Sequence, residues 1–261
     1  LAELSLHANA DQGFRAPNLD DLTSRQQVGP GFQFENAELR PERTTTFELG
    51  VSADIAWLKF EVWGFATLLD DGMFRAVREA ADCPPETPAC TASRNQVQLV
   101  NADETSFILG TEGGVTVYLP AELTLRAVYS YAFGEGPNTG SRNVAGRRSF
   151  DDRVPLSRIP PLNGSVEGRW LHRNTGIYAG AAVRWALRQD RLAPADINDA
   201  RIPVGGTPGY ATLDLRAGWR WSENFRINLV FENVFDAAYR VHGSSINGRG
   251  RGVAIGMMAA L

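Results

Sequence analysis

The chain has 261 residues, of which 43% are apolar and 21% are charged, and its formal net charge is −4. This composition excludes disordered and fibrous proteins, and the lack of excess basic charge argues against nucleic acid as a partner. No apolar run approaches the ~18–20 residues that a membrane-spanning helix needs. That excludes a helical membrane protein but not a β-barrel, whose strands are only half apolar.

Apolar and polar residues alternate over long stretches of the chain. Such a period of two is typical of β-strands with one apolar and one polar face. We predict ten strands, at residues 3–11, 47–55, 58–68, 107–119, 122–131, 162–171, 175–188, 210–221, 225–232 and 253–261.

The length of these strands and the charge on their polar faces separate two kinds of all-β protein. Strands of soluble sandwiches typically have ~5–6 residues, whereas a tilted strand needs ~9–11 residues to cross a bilayer. Most of the predicted strands reach the longer value. Their polar faces carry Arg126, Arg169, Arg184, Arg216, Arg226, Glu48, Glu167, Glu232 and Asp214. A dry sandwich core cannot hold these charges, but a wet lumen can.

The connections alternate between short turns and long polar segments. The short turns lie near residues 55–58, 119–122, 172–175 and 221–225, and the long segments are 12–43, 70–103, 133–161, 189–209 and 236–251. Outer-membrane barrels combine tight periplasmic turns with long extracellular loops in this way. The sequence therefore predicts an all-β protein with an antiparallel transmembrane β-barrel.

Aromatic residues concentrate near the two ends of the predicted strands. Those near short turns are Trp57, Tyr118, Trp170, Trp219, Trp221 and Phe225, and those toward the long loops are Tyr131, Phe133, Trp185, Tyr210 and Phe235. Two aromatic belts are typical of the two membrane interfaces. The alternative is that aromatic residues are simply common in strands.

Five short segments at strand ends occur in an order typical of one family. They are Gly13-Phe14-Arg15-Ala16-Pro17-Asn18, then Asn36-Ala37-Glu38-Leu39-Arg40-Pro41-Glu42 before Phe47-Glu48-Leu49-Gly50, then Asn101 with Gly110-Thr111-Glu112, then Asn233-Val234-Phe235-Asp236 with Tyr239, and finally Gly250-Arg251. Through them the chain resembles the barrel domain of TonB-dependent outer-membrane receptors over nearly its whole length. The resemblance assigns structural roles to Phe14, Arg15, Pro17, Asn18, Pro41, Glu42, Glu48, Gly50, Gly110, Glu112, Asn233, Phe235, Asp236, Tyr239, Gly250 and Arg251.

The resemblance also implies a domain organisation. Plugged transporters of this type have ~22 strands, so residues 1–261 would form a partial barrel of about ten C-terminal strands. The plug domain and the N-terminal strands would lie outside this chain. The sequence opens at Leu1 without a methionine or a leader pattern, and Leu261 stands where the family usually has an aromatic residue. We therefore expect a processed protein or a fragment.

The function implied by the resemblance is energised import across the outer membrane of a Gram-negative bacterium. The solute would be a scarce nutrient of the siderophore-iron, cobalamin or oligosaccharide class, such as a metal chelate. A TonB-type partner that spans the periplasm would supply the energy through the absent plug, and lipid would surround the barrel. No cofactor and no enzymatic activity are expected. The alternative is a self-contained ten-stranded barrel that acts as a surface protease, a pore or an adhesin.

Few residues suggest site chemistry. Cys83 and Cys90 lie in one polar, proline-rich loop, where we expect an exposed local disulfide. The alternative is a free buried pair of cysteines. Two cysteines without clustered histidines argue against a zinc site. His7, His172 and His242 are far apart in the sequence and lie on different predicted strands or loops, so we interpret them as solvated or lumenal side chains. The pairs Asp70-Asp71 and Asp151-Asp152 could bind a cation or act in acid–base chemistry, but solvated loop edges are the simpler interpretation. The arginines on the polar faces have two possible roles. They either pair with a plug or with lumenal acids such as Glu48, Glu167 and Glu232, or they attract anionic ligands such as ferric siderophores.

Overall fold

A computed structural model describes residues 3–28, 31–139 and 153–259. The strands are, in chain order, β1 (Glu3–Arg15), β2 (Gln26–Val28), β3 (Gly31–Phe34), β4 (Glu42–Ile55), β5 (Leu58–Asp70), β6 (Met73–Arg78), β7 (Gln96–Asn101), β8 (Ser106–Leu119), β9 (Leu123–Pro137), β10 (Arg153–Pro155), β11 (Asn163–His172), β12 (Ile177–Ala186), β13 (Tyr210–Arg220), β14 (Phe225–Glu232) and β15 (Gly252–Ala259). Two short α-helices are α1 (Leu19–Thr23) and α2 (Pro88–Thr91), and two 3₁₀ turns are Ala80–Asp82 and Asp196–Asn198.

The main sheet contains all ten predicted strands. Its order is β1-β4-β5-β8-β9-β11-β12-β13-β14-β15, with the short β10 paired beside β9, and every pairing is antiparallel. Neighbours in the sheet are therefore also consecutive long strands of the chain. Within the described residues β1 and β15 do not pair with each other, so the sheet is an open part of a barrel wall.

Several strand bounds differ from the prediction. β1 continues to Arg15 and β4 begins at Glu42, so their pairing extends beyond the predicted ends at residues 11 and 47. The extension has a local cause, because the β-branched run Thr44–Thr46 favours extended backbone and pairs with the end of β1. β12 instead ends at Ala186, two residues before the predicted end.

The register of the pairings aligns apolar residues on one face across several strands. Val183 on β12 lies beside Leu213 on β13, and Leu229 on β14 lies beside Ile255 on β15. Leu229 and Ile255 are 43% and 67% exposed, although they are large and apolar. A face of this kind has no water-excluding protein partner among the described residues and suits a lipid environment.

The loops at one end carry a second sheet that the sequence analysis did not predict. Its order is β2-β3-β7-β6, and β3 and β7 pair in parallel. Its core contains Phe32, Phe34, Val97 and Leu99, each less than 10% exposed. The long connections at residues 12–43 and 70–103 were predicted only as long polar segments, and no strands were predicted within them. The strands concerned are three to six residues long, too short to show a convincing period.

The aromatic residues near the short turns form contacts with each other. Trp219 stacks on Trp221 with ring centroids 5.0 Å apart, and Trp221 meets the ring of Phe225 edge to face at 6.4 Å. The indole N–H of Trp219 donates to the carbonyl oxygen of Thr175 at 3.0 Å. A ring that is apolar at one end and hydrogen-bonded at the other is suited to a membrane–water interface.

At the opposite end two of the predicted belt residues have other roles. Tyr210 lies on the polar face, because it shares the alternation of Thr212 and Asp214, and it packs against a loop residue. The guanidinium of Arg191 covers the ring of Phe133 at 3.8 Å. For Tyr210 the belt assignment was therefore wrong, because strict alternation assigns it to the polar face.

None of the helices in the described parts of the chain has the length and apolar character that crossing a membrane requires.

The two faces of β14 give a direct test of which side meets lipid. Leu229 and Asn228 are adjacent at the same depth but point to opposite faces. We expect Leu229→Arg to reduce the free energy of unfolding by about 2–4 kcal/mol in liposomes, because it places a charge in hydrocarbon. Asn228→Arg should reduce it much less, losing mainly the hydrogen bond from Tyr178. Equal losses in urea unfolding of the two variants would contradict this assignment of faces.

Candidate functional site

The polar face of the main sheet carries ion pairs between neighbouring strands. Arg216 on β13 pairs with Glu167 on β11 at 3.4 Å, and Arg184 on β12 pairs with Asp214 on β13 at 3.4 Å. The carboxylate of Asp214 is almost fully buried, whereas the guanidinium of Arg184 is about half exposed. These two arginines thus have the predicted structural role, and one of them still presents part of its charge to the interior.

Three glycines on this face lie directly opposite aromatic rings. The pairs are Gly50 with Trp63, Gly110 with Phe65, and Gly218 with Tyr178. A Cβ on Gly50 would come within 2.6 Å of the Trp63 ring, and one on Gly110 within 2.2 Å of the Phe65 ring. Glycine at these positions lets the ring lie flat across the neighbouring strand. The structure thereby gives a physical reason for two residues of the family segments.

The first family segment forms an ion-paired corner where β1 leaves the sheet. Arg15 contacts Asp21 at 2.7 Å and Glu42 at 3.3 Å. Asn18 caps helix α1 in a capping box with Asp21, and Glu42 accepts a hydrogen bond from the backbone N–H of Met73 at 3.0 Å. These contacts join the first and second long loops to the N-terminal end of β4.

The other members of this segment have simpler positions. Phe14 is 78% exposed on the apolar face. Pro17 precedes the cap of α1, and Pro41 precedes β4, positions in which a missing N–H disturbs no strand pairing.

Two acidic residues of the family segments lie on the polar face of the sheet. Glu48 accepts a hydrogen bond from the side chain of Asn9 at 3.2 Å. Glu112 lies in register between Trp63 and Ser130.

Asn101 ties the first two long loops together. Its side-chain amide donates to the carbonyl oxygens of Arg40 at 2.8 Å and Asp71 at 2.6 Å, and its Oδ1 accepts from the N–H of Arg40. Asp71 also pairs with the Arg40 guanidinium at 2.6 Å. Asp70 instead accepts from Thr105, so these two acids do not form a joint site. The other pair, Asp151-Asp152, lies outside the described residues.

Cys83 and Cys90 are joined by a disulfide, with Cα atoms 5.9 Å apart. The expected exposure of this pair was wrong for Cys90, which is fully buried against Phe32 and Phe34. The loop itself is polar and rich in proline, which favours exposure. Its local sequence does not show that Phe32 and Phe34, about fifty residues away in the chain, pack against the disulfide.

Asn233 is at the centre of the hydrogen bonds that hold the last long loop to the main sheet. It is 2% exposed, and its side chain donates to the carbonyl oxygens of Ala237 and Arg249, both at 3.0 Å. Its backbone N–H donates to Asp214 at 2.9 Å, so the loop is tied to the same carboxylate that holds Arg184. Asn233 has a positive φ of 46°, a backbone conformation that asparagine tolerates better than most residues.

The remaining residues of that segment close the loop. Asp236 accepts from the backbone N–H of Arg251 at 2.8 Å and pairs with its guanidinium at 3.7 Å. A Cβ on Gly250 would lie 2.8 Å from the Asp236 carboxylate, so a larger residue at this position would displace the carboxylate. Tyr239 packs on Tyr210 with centroids 4.7 Å apart, and Phe235 remains 77% exposed.

Polar contacts also hold the third, fourth and fifth long loops together. Asp196 is 3% exposed and accepts hydrogen bonds from Ser157 and from the backbone N–H of Arg158. Thr207 of the fourth loop shares a hydrogen bond of 2.9 Å with Nδ1 of His242 of the fifth. Partial burial lowers the pKa of His242, and the nearby carboxylates of Asp196 and Asp199 oppose that shift.

A cleft of about 380 Å³ opens between the fifth loop and the polar face of the sheet. Its lining residues are Arg184, Glu232, Asn233, Tyr239, Val241, Ser244, Ile246, Asn247, Gly248, Arg249 and Gly250. The cleft therefore combines two arginines, one carboxylate and an apolar wall. Arg184 and Glu232 were predicted only as charges on the polar faces, and Arg249 was not predicted as a site residue, because nothing in the local sequence brings it near them.

The three histidines do not meet, as the sequence indicated. His7 hydrogen-bonds Ser52 on β4, His172 ends β11, and His242 is in the fifth loop. Across residues 3–28, 31–139 and 153–259 no group of three histidine, cysteine, aspartate or glutamate residues is arranged to hold a metal ion.

The disulfide should stabilise the second sheet and not the main one. Replacing both cysteines by serine places hydroxyls in an apolar core and removes a cross-link, so we expect the opening free energy of β3 and β7 to fall by about 2–3 kcal/mol. Hydrogen exchange should show this loss there while β13 and β14 stay protected. The double alanine variant keeps the core apolar and should lose less. Equal loss of protection in β13 would contradict a local role.

The contact between the fourth and fifth loops should weaken in acid. In an unfolded loop His242 titrates near 6.5, and its pKa is lower in the folded loop. The contact is therefore at full strength above that pH and is lost as the pH falls below 6.5 towards the folded value. Hydrogen exchange around Thr207 should accelerate, after correction for intrinsic rates, in acid but not at neutral pH. His242→Gln should abolish this dependence, and His172→Gln at a short turn should leave it unchanged.

Comparison with known proteins gives one family. Residues 2–234 match the family model described as TonB dependent receptor-like, beta-barrel. No curated protein sequence matches the chain.

The chain is also similar to several solved structures. The copper transporter OprC has a TM-score of 0.71 and 20% identity, and the alignment covers 98% of this chain and 37% of that chain. A mutant of the ferric enterobactin receptor PfeA from Pseudomonas aeruginosa has a TM-score of 0.67 and 18% identity, with coverage of 98% and 38%. A double mutant of the hemophore receptor HasR from Serratia marcescens, in complex with its hemophore and heme, has a TM-score of 0.69 and 19% identity, with coverage of 98% and 37%. At these identities the likeness concerns the fold, and the chain spans less than two fifths of each of them. The family match covers most of the chain, and the antiparallel sheet with its five ordered segments agrees with it. The chain belongs to the β-barrel family of TonB-dependent receptors, which are transporters and receptors and not enzymes.

Proposed function

We propose that this chain is part of an outer-membrane receptor that actively imports a scarce nutrient. The observation that carries the proposal is one sheet with an apolar face, an ion-paired polar face, and long folded loops at one end. Such a wall separates lipid from a polar passage. The folded loops give the outer end a defined surface on which a dilute solute can bind before it passes inwards.

The proposal includes a larger molecule around this chain. Residues 1–261 would supply about ten C-terminal strands of a barrel of ~22 strands. N-terminal strands and a plug domain would complete it, with outer-membrane lipid against the apolar face. The chain covers about 37% of the length of a similar solved structure, and this fraction supports the division.

The proposed energy source is a TonB-type protein that spans the periplasm and acts on the plug. Among the solute classes predicted from the sequence, we favour a metal chelate of the siderophore-iron class over cobalamin or an oligosaccharide. Support comes from the similar structures, whose names refer to copper, ferric enterobactin, iron and heme.

Uptake by cells that express the whole receptor tests this function. Iron-starved cells would receive radiolabelled iron bound to catecholate, hydroxamate or citrate chelators, with radiolabelled cobalamin and maltooligosaccharide as the other classes. We expect saturable uptake of an iron chelate that a protonophore abolishes while surface binding persists. A deletion strain is the control. Uptake that survives the protonophore would indicate a passive pore, and uptake of cobalamin or sugar alone would contradict the chelate class.

A further inference from the structure

The cleft under the fifth loop holds charged groups that the fold does not use. Glu232 ends β14, on the polar face, and has no hydrogen-bond or ion-pair partner among the described residues. The side chain of Arg249 likewise has no partner in the described part of the chain, although its carbonyl oxygen accepts from Asn233. A small number of polar groups that line a cleft beside apolar side chains is typical of binding sites.

The rest of the cleft is held in place by contacts that leave these charges free. The side chain of Asn233 forms hydrogen bonds with both ends of the loop. The ring of Tyr239 packs between Tyr210 and Gly248, and a Cβ on Gly248 would lie 2.1 Å from the Tyr239 ring. Asp214 holds Arg184 at the floor through a single long contact, so half of that guanidinium stays exposed. The site is therefore preorganised, which reduces the entropy cost of binding.

An apolar wall further characterises what the cleft can accept. Val241 and Ile246 form this wall and are 54% and 73% exposed. A cleft with an apolar wall, a free cation and a free anion matches a ligand with the same three parts.

We propose that this cleft binds a zwitterionic amino-acid or short-peptide moiety with an apolar side chain. Its carboxylate pairs with Arg249 and the exposed part of Arg184, its ammonium group pairs with Glu232, and its side chain packs on Val241 and Ile246. The volume of about 380 Å³ lies within the range of about 300–1,000 Å³ for small-molecule sites. The inference rests on the proposed function, because it specifies which part of the imported solute the mouth of the barrel recognises.

Equilibrium dialysis of the whole purified receptor in detergent tests the site. The probes are radiolabelled leucine and leucyl-leucine, which differ in the spacing of their charges, together with the N-acetyl and the amidated form of each. We expect saturable binding of at least one zwitterion and binding about tenfold weaker when either charge is masked. No saturable binding of either zwitterion, or equal binding of the masked forms, would overturn the proposal.

Matched variants assign the charges. Glu232→Gln should weaken the zwitterion about tenfold and leave its N-acetyl form unchanged, whereas Arg249→Gln should weaken the zwitterion and leave the amidated form unchanged. Arg226→Gln, on the same face at the other end of β14, should change neither. If a variant weakens the binding of the zwitterion and of both masked forms by the same factor, the assignment of the charges is wrong. If energised uptake persists while these binding results fail, only the cleft assignment is wrong, and if uptake itself fails, the proposed function is wrong.

Discussion

The register of the long antiparallel pairings is the constraint on which the rest of this structure depends. Because successive side chains point to opposite faces, a slip of one residue would exchange the two faces of a whole strand. Arg184, Asp214 and Glu232 would then face hydrocarbon, and leucines such as Leu229 would face the polar interior. Short turns limit the slip at one end of each hairpin. Glycines opposite aromatic rings add a second constraint, since Gly50 faces Trp63 only in the observed register.

The loop end is ordered by different interactions from those of the wall. There the chain builds a small apolar core around Phe32, Phe34 and the disulfide, and it satisfies the loop backbone with side chains such as Asn101. These contacts hold because water competes poorly with hydrogen bonds in a partly buried setting. The outer surface is thus a folded layer with its own stability, so its contacts can respond to reduction or to acid while the wall stays intact.

The hydrogen bonds around Asn233 connect the main sheet with the loops. Asp214 lies on the wall, accepts from the Asn233 backbone and pairs with Arg184, so one buried carboxylate positions both a strand residue and the start of the last loop. The cleft with Glu232 and Arg249 is a consequence of that connection. Asn233, a residue of the family segments, thereby helps to set the shape of the cleft that it lines.

The sequence by itself determined the ten strands of the wall, their apolar and polar faces and the end at which the long loops lie. A period of two is a local property, and it can be read wherever a strand is long enough to repeat it several times. The family segments likewise marked Asn233 and Asp236, although three of their partners, Asp214, Arg249 and Arg251, lie 15 to 19 residues away in the chain. Only the tertiary structure decided the second sheet, the burial of Cys90, the packing of Tyr210 on Tyr239, and the meeting of Arg184, Glu232 and Arg249. Each of these requires contacts between residues far apart in the chain or strands too short to show a period, and neither is encoded in local alternation.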